Sequence, residues 1–133
     1  MKAISARTTR AFNQGAHLIA ADNSGARVVR FISAKRWKGR AGRQTAAKLG
    51  DWIKISVRKG NPDMKGKVFD AVIVRQKKPY RRRDGERVMF DDNAVALLKD
   101  EKGNPKGTQI KGPVAREIME RWPSVAKIAS SVY

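Results

Sequence analysis

The sequence holds no cysteine and one histidine, His17. The first absence removes disulfides, thiolate nucleophiles and zinc ribbons together, and it fits a reducing, cytoplasmic setting. The second leaves little for acid–base chemistry. His17 sits in an apolar β-run, where a packed or hydrogen-bonded role is the ordinary one, and no serine is marked as its partner. Asp91 and Asp92 are a poor acid pair: neighbours on a strand point to opposite faces, and the Asn that follows favours a turn. Neither a Walker A nor a dinucleotide fingerprint is present. The expectation is therefore a protein that is not an enzyme, with no catalytic residue, metal or cofactor. No apolar run approaches the roughly 18 residues that cross a bilayer, and the first residues lack the apolar core of a secretion signal, so no membrane partner is expected.

Acidic residues are also scarce. Twelve Asp and Glu face 30 Lys and Arg, a formal net charge of +18 in 133 residues, with 41% hydrophobic content. That is enough apolar material for one modest core. The compact state repels itself, and a polyanion relieves the repulsion. The charge is uneven. Residues 1–49 carry eleven Lys or Arg against one acid, residues 50–83 eleven against three, and residues 84–133 eight against eight. Charge placed only for solubility would be spread evenly, so one surface is expected to meet a polyanion and another something else.

Two segments concentrate the positive charge. "AKRWKGRAGRQTAAK", residues 34–48, has six basic residues and Trp37, and reads as a long exposed loop. "RQKKPYRRR", residues 75–83, has six basic residues in nine and ends at Asp84-Gly85. Arg forks grip phosphates and aromatic rings stack on bases. The candidate RNA-binding residues are accordingly Arg7, Arg10, Lys35, Arg36, Trp37, Lys38, Arg40, Arg43, Lys48, Lys77, Lys78, Tyr80, Arg81, Arg82 and Arg83. RNA is preferred to DNA because no recognition helix carries the charge. "GRAG" at 39–42 has the G-x-x-G form of a KH clamp, but no helical stripe flanks it, and a flexible cationic loop is the better reading.

Around these segments the sequence alternates like a small β-protein. Residues 1–13 read as a flexible arm or a short edge strand. "GAHLIAADNSGARVVRFIS" reads as two strands joined at residues 22–25, with Gly25 free to take positive φ. "GDWIKISVRKG" sends Ile53, Ile55 and Val57 to one face and Trp52, Lys54 and Ser56 to the other. "KVFDAVIVRQ" reads as a central strand, Val88–Phe90 and Ala94–Leu98 as further strands, and "TQIKG" as a brief one. At Pro113 the texture turns helical. Val114, Ile118 and Trp122 recur at intervals of four, Pro113 suits the first helical position, and Arg116–Glu120 and Glu117–Arg121 can pair. Pro123 ends this helix and can start another turn. The expected fold is a small five-stranded β-barrel over residues 1–112 with a helical appendage over 113–133.

The ordered motifs "AADNSGAR", "GDWIKISVRKGNP", "KGKVFDAVIVRQKKPYRRRDGERVMFDDNAVALL" and "GTQIKGPVAREI" resemble the large-subunit ribosomal protein L-fourteen family, from about Ala20 to Ile118. Its signature falls on Ala71, Val72-Ile73-Val74, Asp84-Gly85, Phe90 and Asn93. Ala96 stands where the pattern has Val. The N-terminal extension and the 34–48 loop look like the archaeal or eukaryotic branch. The resemblance implies a five-stranded barrel with a C-terminal helical region, in a structural constituent of the large ribosomal subunit. It implies binding to large-subunit rRNA, neighbours such as the L-three family, contact with small-subunit rRNA where the subunits meet, and docking of an anti-association initiation factor. Placed on the neutral third, that docking would use Arg116, Glu117, Glu120 and Arg121. The rival expectation is a free-standing barrel that binds single-stranded RNA, which would need aromatic side chains clustered on one sheet face.

Overall fold

The computed structural model describes residues 2–35, 39 and 41–133. Twelve strands and two short helices follow one another among them: β1 (Ala6–Arg7), β2 (Phe12–Asn13), β3 (His17–Ala20), β4 (Ala26–Ala34), β5 (Ala46–Ala47), β6 (Trp52–Gly60), β7 (Val68–Arg75), β8 (Tyr80–Arg82), β9 (Arg87–Val88), β10 (Ala94–Leu98), β11 (Ile110–Val114), α1 (Arg116–Arg121), α2 (Pro123–Ala126) and β12 (Ala129–Val132). Five of the strands close into a barrel in the order β10-β3-β4-β6-β7. Each neighbouring pair is antiparallel except β3 with β10, which runs parallel, Ala94 opposite Ile19 and Val95 opposite Ala20. Closure removes the open edges that such apolar strands would otherwise expose.

The strands form where the side-chain pattern asks for them. In β6 the even and odd positions separate as the sequence suggests: Ile53, Ile55 and Val57 are buried, while Trp52, Lys54 and Ser56 are half-buried. The turn before β4 places Gly25 at φ 103°, a conformation that a Cβ would strain. β4 slips register against β6 at several points, and such bulges bend a long strand around a narrow barrel. Ala71–Val74 of β7 and Ala94–Leu98 of β10 are buried throughout, on both faces. Part of their outer cover is the C-terminal segment, whose Ala115 N–H donates to the carbonyl of Val74 at 3.2 Å. Val114, Ile118, Trp122 and Val125 join the barrel side chains in one core cluster, and Trp122 Nε1 donates to the Gly50 carbonyl at 2.9 Å.

Four elements differ from the sequence reading, each for a local reason. The first helix starts at Arg116, not Pro113. Pro113 lies in β11, opposite Ser131 of β12, and its carbonyl accepts from Arg75, so the chain stays extended through Val114. The strand at 88–90 shrinks to Arg87–Val88, because Phe90 N–H leaves the ladder and donates to the Gln76 carbonyl. The 34–48 segment is not an exposed loop to its end: Ala46–Ala47 form β5, which pairs with β2 of the N-terminal arm and buries Ala47, while the arm itself takes the edge-strand option as β1 and β2. β12 has no clear signal in "IASSVY"; its pairing with β11 creates it. Pro123 begins α2 as expected.

Candidate nucleic-acid interface

The cationic segment between β7 and β10 is a structured hairpin, not an open loop. β8 pairs with β9 across the Asp84-Gly85 turn, and β1 adds itself to the other edge of β8, giving the order β1-β8-β9. Gly85 takes φ 91°, and Asp84 Oδ1 accepts from Glu86 N–H at 2.9 Å, so the turn is closed by the residues that mark it in the sequence. Period-two geometry then sorts the residues by face. Arg7 and Arg81 face each other on the exposed side, while Ala6, Tyr80, Arg82 and Val88 turn inward.

The inner side holds a buried polar knot. Glu117 on α1 is 3% exposed and accepts from Tyr80 Oη at 2.8 Å and from Arg82 Nε at 2.8 Å. The Arg82 guanidinium also donates to Tyr80 Oη and to the backbone oxygen of Tyr133. Burial, reinforced by the Glu117 carboxylate, pushes the Tyr80 phenol well above its usual range, so it stays a neutral donor. Burial alone would lower the Arg82 pKa, but Tyr80 and Glu117 outweigh it and raise it. Tyr80 and Arg82 therefore hold the hairpin to α1. The reading of both as RNA contacts is corrected: they are 2% and 7% exposed, and the hydroxyl and the guanidinium are already paired with Glu117.

The other candidates divide as follows. Arg7, Arg10, Arg43, Lys77, Lys78, Arg81 and Arg83 are exposed. Lys78 Nζ donates to the Arg10 carbonyl at 3.1 Å and ties the N-terminal arm to the hairpin. Lys48 is half-buried. Lys35 is committed elsewhere: its Nζ lies 3.1 Å from Asp70, 3.6 Å from Glu101 and 4.3 Å from the Trp52 ring centroid. Arg36, Trp37, Lys38 and Arg40 lie outside the described residues. On α1, Arg116 and Glu120 are exposed, and Glu120 accepts from Ser5 Oγ at 3.0 Å. Glu117 is buried, and Arg121 turns to Asp51 at 3.7 Å. Neither i,i+4 pair forms: Glu117 and Arg121 take partners on β8 and at Asp51, and Glu120 accepts from Ser5.

Arg87, absent from the candidates, stands directly opposite Arg81 and is exposed. Sequence averaging hid it, since it falls in the neutral third. The available signal was the Asp84-Gly85 turn, which folds residue 87 back beside residue 81.

The base of the hairpin is pinned by Asn93. Its Oδ1 accepts from Lys77 N–H at 2.7 Å, and its carbonyl accepts from Ile19 N–H at 2.9 Å. Asn93→Leu removes the first bond and costs about 1–2 kcal/mol, seen as a melting temperature lower by several degrees. RNA affinity measured well below that temperature should be unchanged; a variant with a normal melt and lost RNA binding would reverse the assignment.

These features define a class: a small closed β-barrel with a cationic hairpin on one side and a short helical appendage locked beneath it. The chain belongs to a family, Ribosomal protein L14p/L23e, whose model matches residues 11–133. It is 58% identical over 129 residues to the large ribosomal subunit protein uL14 of Nanoarchaeum equitans, covering 97% of each chain. It is 51% identical over 132 residues to the protein of that name in Thermoplasma acidophilum, and 46% identical over 132 residues to that of Halobacterium salinarum, with 99% of each chain covered.

Proposed function

We propose that this chain is a structural constituent of the large ribosomal subunit that binds large-subunit rRNA through its exposed cationic hairpin and N-terminal arm. The observation that carries this reading is the hairpin itself, whose exposed arginines have no carboxylate partner among the described residues, in a chain of the ribosomal L14p/L23e family. A tethered hairpin loses less entropy on docking than a free tail would. The free-standing single-stranded-RNA module is disfavoured, because it needs ring faces open for stacking. Phe12, Phe31, Tyr80, Phe90 and Trp122 are buried, and Tyr133 is the one large exposed aromatic among the described residues.

The opposite side of the reading is a protein-docking face around Arg116 and Glu120, beside the exposed Met119. It would take an anti-association initiation factor, near the place where small-subunit rRNA and a neighbour of the L-three family meet the subunit. Glu117 and Arg121 support this face from beneath and do not belong to it.

A gradient and a salt titration test the rRNA half, and a charge reversal tests the docking half. Purified chain should co-sediment with large subunits lacking their own copy through a high-salt sucrose wash; a chain left at the top of the gradient sinks the proposal. Its affinity for a large-subunit rRNA transcript should fall with salt at a log–log slope near −4 to −7, as expected for about six to eight neutralised phosphates. Joint reversal of charge at Arg116 and Glu120 should leave uptake into large subunits intact and slow factor binding or subunit joining. Lost uptake with normal factor binding would return the helix to the rRNA side.

A further inference from the structure

We infer that Arg7, Arg81 and Arg87 form a single phosphate-binding row, which an RNA backbone crosses at right angles to the strands. The inference rests on the rRNA-binding reading and says which atoms of the RNA this surface takes. In the sheet β1-β8-β9, Arg7 is the register partner of Arg81, and Arg81 of Arg87. Register partners share a face, so the three side chains stand side by side on the exposed one, and their Cβ atoms span about 10 Å. The line joining them is perpendicular to the strands.

Like charges directly opposite destabilise a sheet. Here Arg81 has an arginine on each side, in strands of two, three and two residues with little ladder energy to spare. None of the three makes an ion pair with a carboxylate among the described residues. A solvated face would relieve the repulsion with an interleaved acid, and Asp84 and Glu86 are instead placed at the turn. Guanidinium forks in a row suit the closely spaced phosphates of one strand, and no exposed ring in the row offers a base a stacking surface.

Two further features support the site. A groove of about 450 Å³ opens at the Arg7–Arg81 end of the row, lined by Ile4, Ala6, Arg7, Arg81, Arg82 and Arg83. The inner face of the same strands is fixed by Arg82 and Tyr80 on Glu117, so the row is held before RNA arrives. The row also includes β1, so it is complete only while the N-terminal arm is paired. RNA and the arm therefore bind the hairpin cooperatively.

The test compares Arg7→Gln, Arg81→Gln and Arg87→Gln, singly and together, with a triple control of equal charge loss, Lys65→Gln, Lys67→Gln and Lys102→Gln. Each full-length protein is titrated with a large-subunit rRNA transcript across a range of salt. Each arginine variant should make the log–log salt slope shallower by about one, and the triple by about three. At physiological salt the triple should bind roughly tenfold more weakly or worse, and the control should lose much less. Without RNA the arginine triple should melt no lower than wild type, since it removes repulsion; an unfolded triple would show that the side chains have structural partners and overturn the row. Equal losses in both triples, or an unchanged slope in Arg87→Gln, would leave only diffuse charge. Wild-type protein that ignores the transcript would instead remove the rRNA reading itself.

Discussion

Replacing Glu117 by leucine should lower the melting temperature of the isolated protein by about 10–20 °C. The cause is not the loss of an attraction at the surface. Glu117 and Arg82 are both buried, and removing one leaves the other charged and unmatched, a penalty of about 3–5 kcal/mol. The Tyr80 hydroxyl loses its acceptor in the same step. For a chain of this size a few kcal/mol corresponds to a shift on that scale. The double variant Glu117→Leu with Arg82→Met should recover most of the loss, because an apolar pair of similar volume needs no partner. A thermal melt of the two variants decides the matter. A single variant that melts like wild type would mean the knot contributes nothing, and a double variant no better than the single would mean packing alone was damaged. The result also bears on charge-neutralisation experiments. Changing Arg81, Arg82 and Arg83 together mixes two exposed residues with a buried one, and the variant would lose its fold before its RNA contacts could be judged.

The second large effect is expected at Arg75. This residue is 7% exposed, and its guanidinium reaches Asp92 with Nε at 2.7 Å and Nη2 at 3.1 Å. Nη1 donates to the carbonyls of Lys111 and Pro113 at 2.8 and 2.9 Å. Arg75→Met keeps the aliphatic stem and removes all four bonds. The expected cost is about 2–4 kcal/mol, since hydrogen bonds to a charged group are the stronger kind and partly exposed Asp92 regains water. The damage should be local. Hydrogen exchange should quicken at residues 110–114 and 129–133, while amides of β6 and β7 stay protected. Uniform loss of protection would show that β11 and β12 unfold only with the barrel.

The barrel was legible in the sequence because its signals are local. Alternation at Ile53, Ile55 and Val57 marks one strand, the continuous run Ala71–Val74 marks another, and Asp84-Gly85 marks a turn, each without reference to the rest of the chain. The site was legible only as a density of charge. Arg81 and Arg82 look alike in sequence, and one faces outward while the other is locked inside; the difference is the strand period, which an assumed loop does not have. Glu117 looks like a solvent-facing helix residue because its partners, Tyr80 and Arg82, are more than 30 positions away. β12 owes its existence to β11, and "IASSVY" by itself names no structure. What local rules cannot supply is the identity of distant partners, and it is distant partners that turn a basic segment into a row with two faces.

The parallel seam between β3 and β10 has a consequence for how the protein is made. β3 begins at His17 and β10 ends at Leu98, so the barrel cannot close until most of the chain has been synthesised. Until then β3 and β7 each present an open edge, and β7 presents a run of apolar residues with no cover. Contacts of such long sequence separation form slowly. The emerging chain is thus both adhesive and strongly cationic, and residues 1–83, which carry the whole net charge, leave the ribosome before the strand that completes the fold. Newly made protein is most exposed to aggregation, and to stray polyanions, during that interval. Rapid delivery to its RNA site protects a folding intermediate as well as a finished product.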